Sequence, residues 1–145
     1  RGEGGAVALV ECGVIRTSPD HLLANRIREI YEAIVALIVR HQPFVMSVED
    51  VFHGKNARSA LKLGHARGAI LLAAALHEIA VAEYAPRQIK KAVVGSGNAT
   101  KDQVGFMVKQ KLKLQEPPKP ADAADGVATA LCHCMIGSFP GEISL

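Results

Sequence analysis

The chain has 145 residues, 49% of them hydrophobic and 21% charged, a size and balance that fit one domain (1–145) with a sizeable core and exclude global disorder. Its 17 Lys and Arg against 14 Asp and Glu give a formal net charge of +3, too little to assign a polyanionic partner on charge alone. Three cysteines cannot build a disulfide framework, and the longest apolar run, Ala69 to Leu76, falls far short of the roughly 20 residues that cross a bilayer, so a cytoplasmic protein without a membrane span is expected.

The opening Arg1-Gly2-Glu3-Gly4-Gly5 carries neither an initiator Met nor a secretion signal, so the chain is expected to begin partway into a protein. Ala6 to Arg16 is rich in Val, Leu and Ile and predicts a strand. Ser18 as cap and Pro19 in the first turn predict a helix from Asp20 to His41, with Leu23, Ile27, Ile30, Ile34, Leu37 and Ile38 on one face and Pro43 beyond its end. Phe44 to Val48 has the length of a strand, and Glu49 and Asp50 arrive where it ends. A loop with Phe52, Gly54 and Lys55 leads to Asn56, a good cap, and a helix reaching Ile79. Its Ala60, Gly64 and Gly68 recur every fourth residue and predict a buried seam.

Val81 to Ala85 predicts a strand, Pro86 a helix through Val94, and Gly95-Ser96-Gly97-Asn98 a break. Thr100-Lys101-Asp102-Gln103 has the form of a capping box and opens a helix to Leu114. After the stiff Glu116 to Pro120 loop a last helix runs from Ala121 to Ile136, followed by a loose tail over 137–145. Strands alternating with helices give an α/β layer fold.

Asp122 and Asp125 stand one helical turn apart, so both carboxylates project on one side and can share a ligand; acids in a first turn also simply complement the helix dipole. Glu49 adds weight to the first possibility, because α/β folds gather functional side chains beyond the carboxyl ends of their strands. Three such acids repel one another unless a cation neutralises them, and an all-oxygen set suits Mg²⁺ or Mn²⁺. Two ions about 3.5 to 4 Å apart can activate a water and stabilise the leaving oxygen of a phosphodiester. Lys90, Lys91, Lys101, Lys109, Lys111, Lys113 and Lys119 fall within one thirty-residue stretch, although a solvated helix face is the better reading of Lys109 to Lys113 taken alone. Cys132-His133-Cys134 has no second Cys pair to complete a zinc site.

The stretch Ser47 to Gly68 (SVEDVFHGKNARSALKLGHARG), then Glu83 to Gly95 (EYAPRQIKKAVVG), Lys101, and Ala121 to Asp125 (ADAAD) closely resemble the RuvC family of crossover-junction endodeoxyribonucleases, in the same order from about Gly13 to His133. The resemblance implies an RNase-H-like fold with a mixed five-stranded sheet flanked by helices, and Glu49, Asp122 and Asp125 as metal-binding acids. A further family acid lies in a Gly-Ile-Asp-Pro-Gly motif on the first strand; that motif does not occur here, so the first strand and most of the second are expected to be missing. Phe52 and Lys55 would enter the junction, the ring stacking on an unpaired base, and Lys90 and Lys101 would stand near the scissile phosphate. The family's implied properties also include Mg²⁺, replaceable by Mn²⁺ and bound as two ions, and homodimerisation, with the helix around Gly64 and Gly68 in the interface. It further implies four-way junction DNA as substrate, action beside branch-migration and junction-binding proteins, and a role in recombination and repair. The competing readings are a catalytically incomplete junction-DNA-binding module and an RNase-H-like enzyme acting on RNA–DNA hybrids.

Overall fold

A computed structural model of the chain describes residues 6–50 and 56–137. Its elements run α1 (Leu23–His41), β1 (Val45–Glu49), α2 (Ala57–Leu76), β2 (Ala80–Tyr84), α3 (Pro86–Val94), α4 (Lys101–Lys111) and α5 (Ala121–Ile136). No helix among the described residues is long and apolar enough to cross a membrane. The expected junction loop with Phe52 and Lys55, and the tail after Gly137, lie outside the described residues.

Contacts divide the chain into two compact units. One takes in the described residues of Arg1–Val14, Ser47–Asp50 and Ala82–Leu145; the other takes in those of Ile15–Met46 and Val51–Val81. In the second unit α1 packs on α2, and the buried residues among those described are Ile38, Ala69, Ala73 and Ala74. The start of α1 differs from expectation. Ser18 organises a turn, its Oγ accepting from the Asp20 N–H at 3.4 Å and its carbonyl from the His21 N–H at 3.3 Å, and the helix begins at Leu23 without a side-chain cap. A serine can satisfy nearby backbone donors in a turn as readily as in a cap, and here the turn wins. Asn56 does cap α2, accepting from the Ser59 N–H at 2.9 Å. That helix stops at Leu76, short of Ile79, where Glu78 takes a left-handed φ of 55°. Ala60, Gly64 and Gly68 are exposed, with open space beside both glycines, so the seam expected to be buried is not buried within this chain. Small residues permit close approach without compelling it.

Among the described residues the sheet has two parallel strands, β1 beside β2. Ala6 to Arg16, expected as a strand, does not join it: a strand needs a ladder partner, and the segment instead lays Val7 and Leu9 against the core. The five-stranded mixed sheet is correspondingly not formed among the described residues.

The first unit holds the denser core. Ile89 and Val93 from α3, Val104 and Val108 from α4 with Leu112 just beyond it, and Val127, Ala128, Leu131 and Cys132 from α5 form one cluster with Tyr84. The three- and four-residue spacing within each helix sets these side chains on a common face, and each fully buried Val or Leu contributes about 1.5–3 kcal/mol. Gly95 ends α3 at a φ of 94°, where a Cβ would be strained. The Thr100–Gln103 capping box forms as expected, but α4 ends at Lys111 rather than Leu114, before Lys113 at a left-handed φ of 53°. These three helices surround the end of β1, where the candidate chemistry lies.

Candidate active site

Glu49 is the last residue of β1, and the strand's path is pinned immediately after it by the Asp50 N–H, which donates to the Tyr84 carbonyl at 2.8 Å. Because β1 and β2 run parallel, their carboxyl ends open on the same side, and α3, α4 and α5 can deliver side chains there. A hollow of about 260 Å³ results, lined by Glu49, by Lys90 of α3, by Lys101 of α4 and by Asp125 of α5. Pro86, Ile89, Val104 and Ala128 supply apolar wall.

The charges in this hollow act on one another. Burial raises the Glu49 pKa above its ordinary value, and the Asp125 carboxylate raises it further, while Lys101 and Lys90 pull it down. Lys101 Nζ donates to Asp125 Oδ2 at 3.0 Å, and this bond, together with the Asp125 charge, raises the Lys101 pKa. With side chains 69% and 39% exposed, the pair orients the two groups and adds little stability. Asp122 is exposed and does not line the hollow, though its charge also reaches Lys101. Of the expected site residues, Glu49, Asp125, Lys90 and Lys101 are thus brought together, Asp122 stands one turn away, and Phe52 and Lys55 fall outside the described residues.

Thr129 is a residue of the hollow that sequence reading passes over. It is buried, lines the cavity, and donates from Oγ1 to the Asp125 carbonyl at 2.9 Å. Its position four residues after Asp125 was the available signal. The Cys132-His133-Cys134 run serves two environments: Cys132 is fully buried in the core, and the His133 Nδ1 lies 2.7 Å from the Tyr84 hydroxyl.

Among the described residues no three His, Cys, Asp or Glu side chains stand together as a ready ligand set. The donor chemistry of the hollow nevertheless fits a hard divalent cation: two carboxylates share it, and burial together with their mutual repulsion raises the Glu49 pKa, a penalty on the charged form that a nearby cation relieves.

The family model for crossover junction endodeoxyribonuclease RuvC matches residues 1–133. The chain belongs to the RuvC family. It is 51% identical over 130 residues to the crossover junction endodeoxyribonuclease RuvC of Desulforamulus reducens, covering 89% of this chain and 80% of that protein. Against the same enzyme of Pelotomaculum thermopropionicum it is 49% identical over 130 residues, covering 90% of this chain and 79% of the relative. The structure of Thermus thermophilus RuvC superposes with a TM-score of 0.84 at 34% identity, over 93% of this chain and 82% of that one. T. thermophilus RuvC in complex with Holliday junction substrate gives 0.86 at 34% identity, over 91% and 80%. This likeness carries the RNase-H-like fold, and RuvC nucleases depend on metal.

Proposed function

We propose that this RuvC-family chain is a structure-specific endonuclease that resolves four-way (Holliday) junctions by metal-dependent hydrolysis of phosphodiester bonds, in recombination and DNA repair. The observation that carries the reading is the meeting of Glu49, Asp125, Lys90 and Lys101 in one hollow at the carboxyl end of β1. Glu49 and Asp125, with Asp122 from the adjacent turn, hold divalent cations, Mg²⁺ or in its place Mn²⁺, and two ions suit an all-carboxylate set. Bound there, such cations would supply Lewis acidity toward the phosphodiester and its attacking water.

The chain's own residues do the rest. Lys90 and Lys101 neutralise the phosphate being cut and stabilise the charge that develops on it. Lys101 is held on the Asp125 side of the hollow by its ion pair, so its ammonium is already oriented when DNA arrives. Thr129 fixes the backbone carbonyl of Asp125 and so steadies the turn bearing that carboxylate. Phe52 stacks on an unpaired base at the junction, and Lys55 binds backbone phosphate beside it. The enzyme works as a homodimer, two sites cutting opposed strands, with the open face of Gly64 and Gly68 in the interface, in the cytoplasm beside branch-migration and junction-binding proteins.

The test compares a synthetic four-way junction, a linear duplex and an RNA–DNA hybrid of matched sequence, each with Mg²⁺. Selective, symmetric cutting of the junction is expected. Preferential cutting of the hybrid would overturn the substrate assignment, and junction binding with no cutting at any divalent cation would make the chain a binding module.

A further inference from the structure

We propose that Tyr84 and His133 form a positioning pair that ties the carboxyl ends of β1 and β2 to α5 and thereby sets the spacing between Glu49 and Asp125. The inference rests on the nuclease reading above, since positioning matters only if those two carboxylates act together.

Both side chains are buried, Tyr84 at 8% and His133 at 6% exposure, so their polar atoms have no easy recourse to water. Tyr84 Oη and His133 Nδ1 meet at 2.7 Å, with the rings tilted at 57°. Either atom can donate, according to the imidazole tautomer. The same Tyr84 accepts the Asp50 N–H on its backbone carbonyl, at 2.8 Å. One residue is therefore bonded at its main chain to the position after Glu49 and at its side chain to α5. On α5, His133 follows Thr129 and Asp125 at four-residue intervals, so the pair anchors the helix face that presents the carboxylate.

Gly137 leaves the room that the His133 ring occupies. A Cβ built on that glycine would collide with His133 Nδ1 and Cε1, the ring edge that meets Tyr84, and with the His133 carbonyl oxygen, although its φ of −81° would accept any residue. Glycine is required there for space, and not for backbone conformation. The N–H of Gly137 also closes the helix by donating to the His133 carbonyl at 2.8 Å.

The test uses Tyr84→Phe, His133→Leu, His133→Asn and Gly137→Ala in the full chain. Two readouts are taken: NMR-detected exchange of the Asp50 amide, and the division of the junction-cutting defect between kcat and KM. Tyr84→Phe removes one oxygen, and His133→Leu fills the volume without a hydrogen bond. Asn places an amide where Nδ1 stands. The first two variants are expected to speed Asp50 exchange about fivefold, the equivalent of one lost neutral hydrogen bond, and to lower kcat by about tenfold with KM within about twofold of wild type. His133→Asn is expected to recover most of both, and Gly137→Ala to behave like His133→Leu.

Unchanged Asp50 exchange in Tyr84→Phe would overturn the pair as a tie to β1. Faster exchange with unaltered kcat would overturn its role in positioning, as would His133→Asn performing no better than His133→Leu. A wild-type chain that fails to cut junctions would count against the nuclease reading instead, and the exchange data would still decide whether the tie exists.

Discussion

Among the described residues, two hollows that border α5 differ in chemistry far more than in size. One, of about 260 Å³, faces Glu49, Lys90, Lys101 and Asp125; the other, of about 220 Å³, is lined mainly by Val7, Leu9, Leu112, Val127 and Leu131, with Cys12 and Cys134 at its wall. A single helix supplies both, because Asp125, Ala128 and Thr129 project to one side while Ala123, Val127, Ala130 and Leu131 project to the other. Volume alone does not tell a functional hollow from a packing imperfection. What separates them is that opposed charges in the first shift one another's protonation, whereas the second is walled mainly by apolar side chains.

Substitutions on the two sides of α5 sharpen or break this contrast. Asp125→Asn should cost the most: junction cutting falls about a thousandfold, about 4 kcal/mol of transition-state stabilisation, while junction binding by gel shift is retained. Leu131→Ala, on the apolar side and in the core cluster, should lower stability by about 2–5 kcal/mol in a urea titration with cutting by the folded fraction unaffected. Lys90→Met should reduce cutting by about tenfold and flatten its salt dependence, because one phosphate contact is lost. Equal catalytic losses from Leu131→Ala and Lys90→Met would erase the distinction between the hollows.

The smallest effect expected concerns pH. Glu49 has a folded-state pKa above its ordinary value of 4.5, so the folded protein holds that proton more tightly than the unfolded chain does. The associated stability is complete below the ordinary value and is lost as pH climbs through the window up to the raised folded value. Glu49→Gln should remove this loss, so that with chelator present the variant melts modestly higher than wild type at neutral pH while being inactive. A variant less stable than wild type across that range would contradict burial and Asp125 repulsion as the cause.

Much of this architecture was legible in the residues. Pro86 to Val94 and Ala121 to Ile136 were bounded correctly because proline and glycine punctuate them, and the Thr100–Gln103 box declared its own hydrogen bonds. The start of α1 was not, because a serine cap and a serine turn look alike in one dimension. Ala6 to Arg16 had the composition of a strand, but composition does not supply a ladder partner. At the site, Glu49 and Asp125 were foreseeable from a strand end and a helix turn, and Lys90 and Lys101 from the family resemblance. The contacts of Thr129, Tyr84 and His133 were not, because they depend on which faces of α5 and β2 meet, and Asp122 was expected at the same place as Asp125 although its side chain stands outside the hollow.

The central claim is that Glu49 and Asp125 jointly hold a divalent cation, and Mn²⁺ titration followed by electron paramagnetic resonance reads this without relying on cleavage. Wild-type protein is expected to remove Mn²⁺ from the free signal at a saturable site that Glu49→Gln weakens by about tenfold or more and that the Glu49→Gln, Asp125→Asn double variant lacks. Equal Mn²⁺ uptake by wild type and the double variant, in protein shown to be folded, would contradict it.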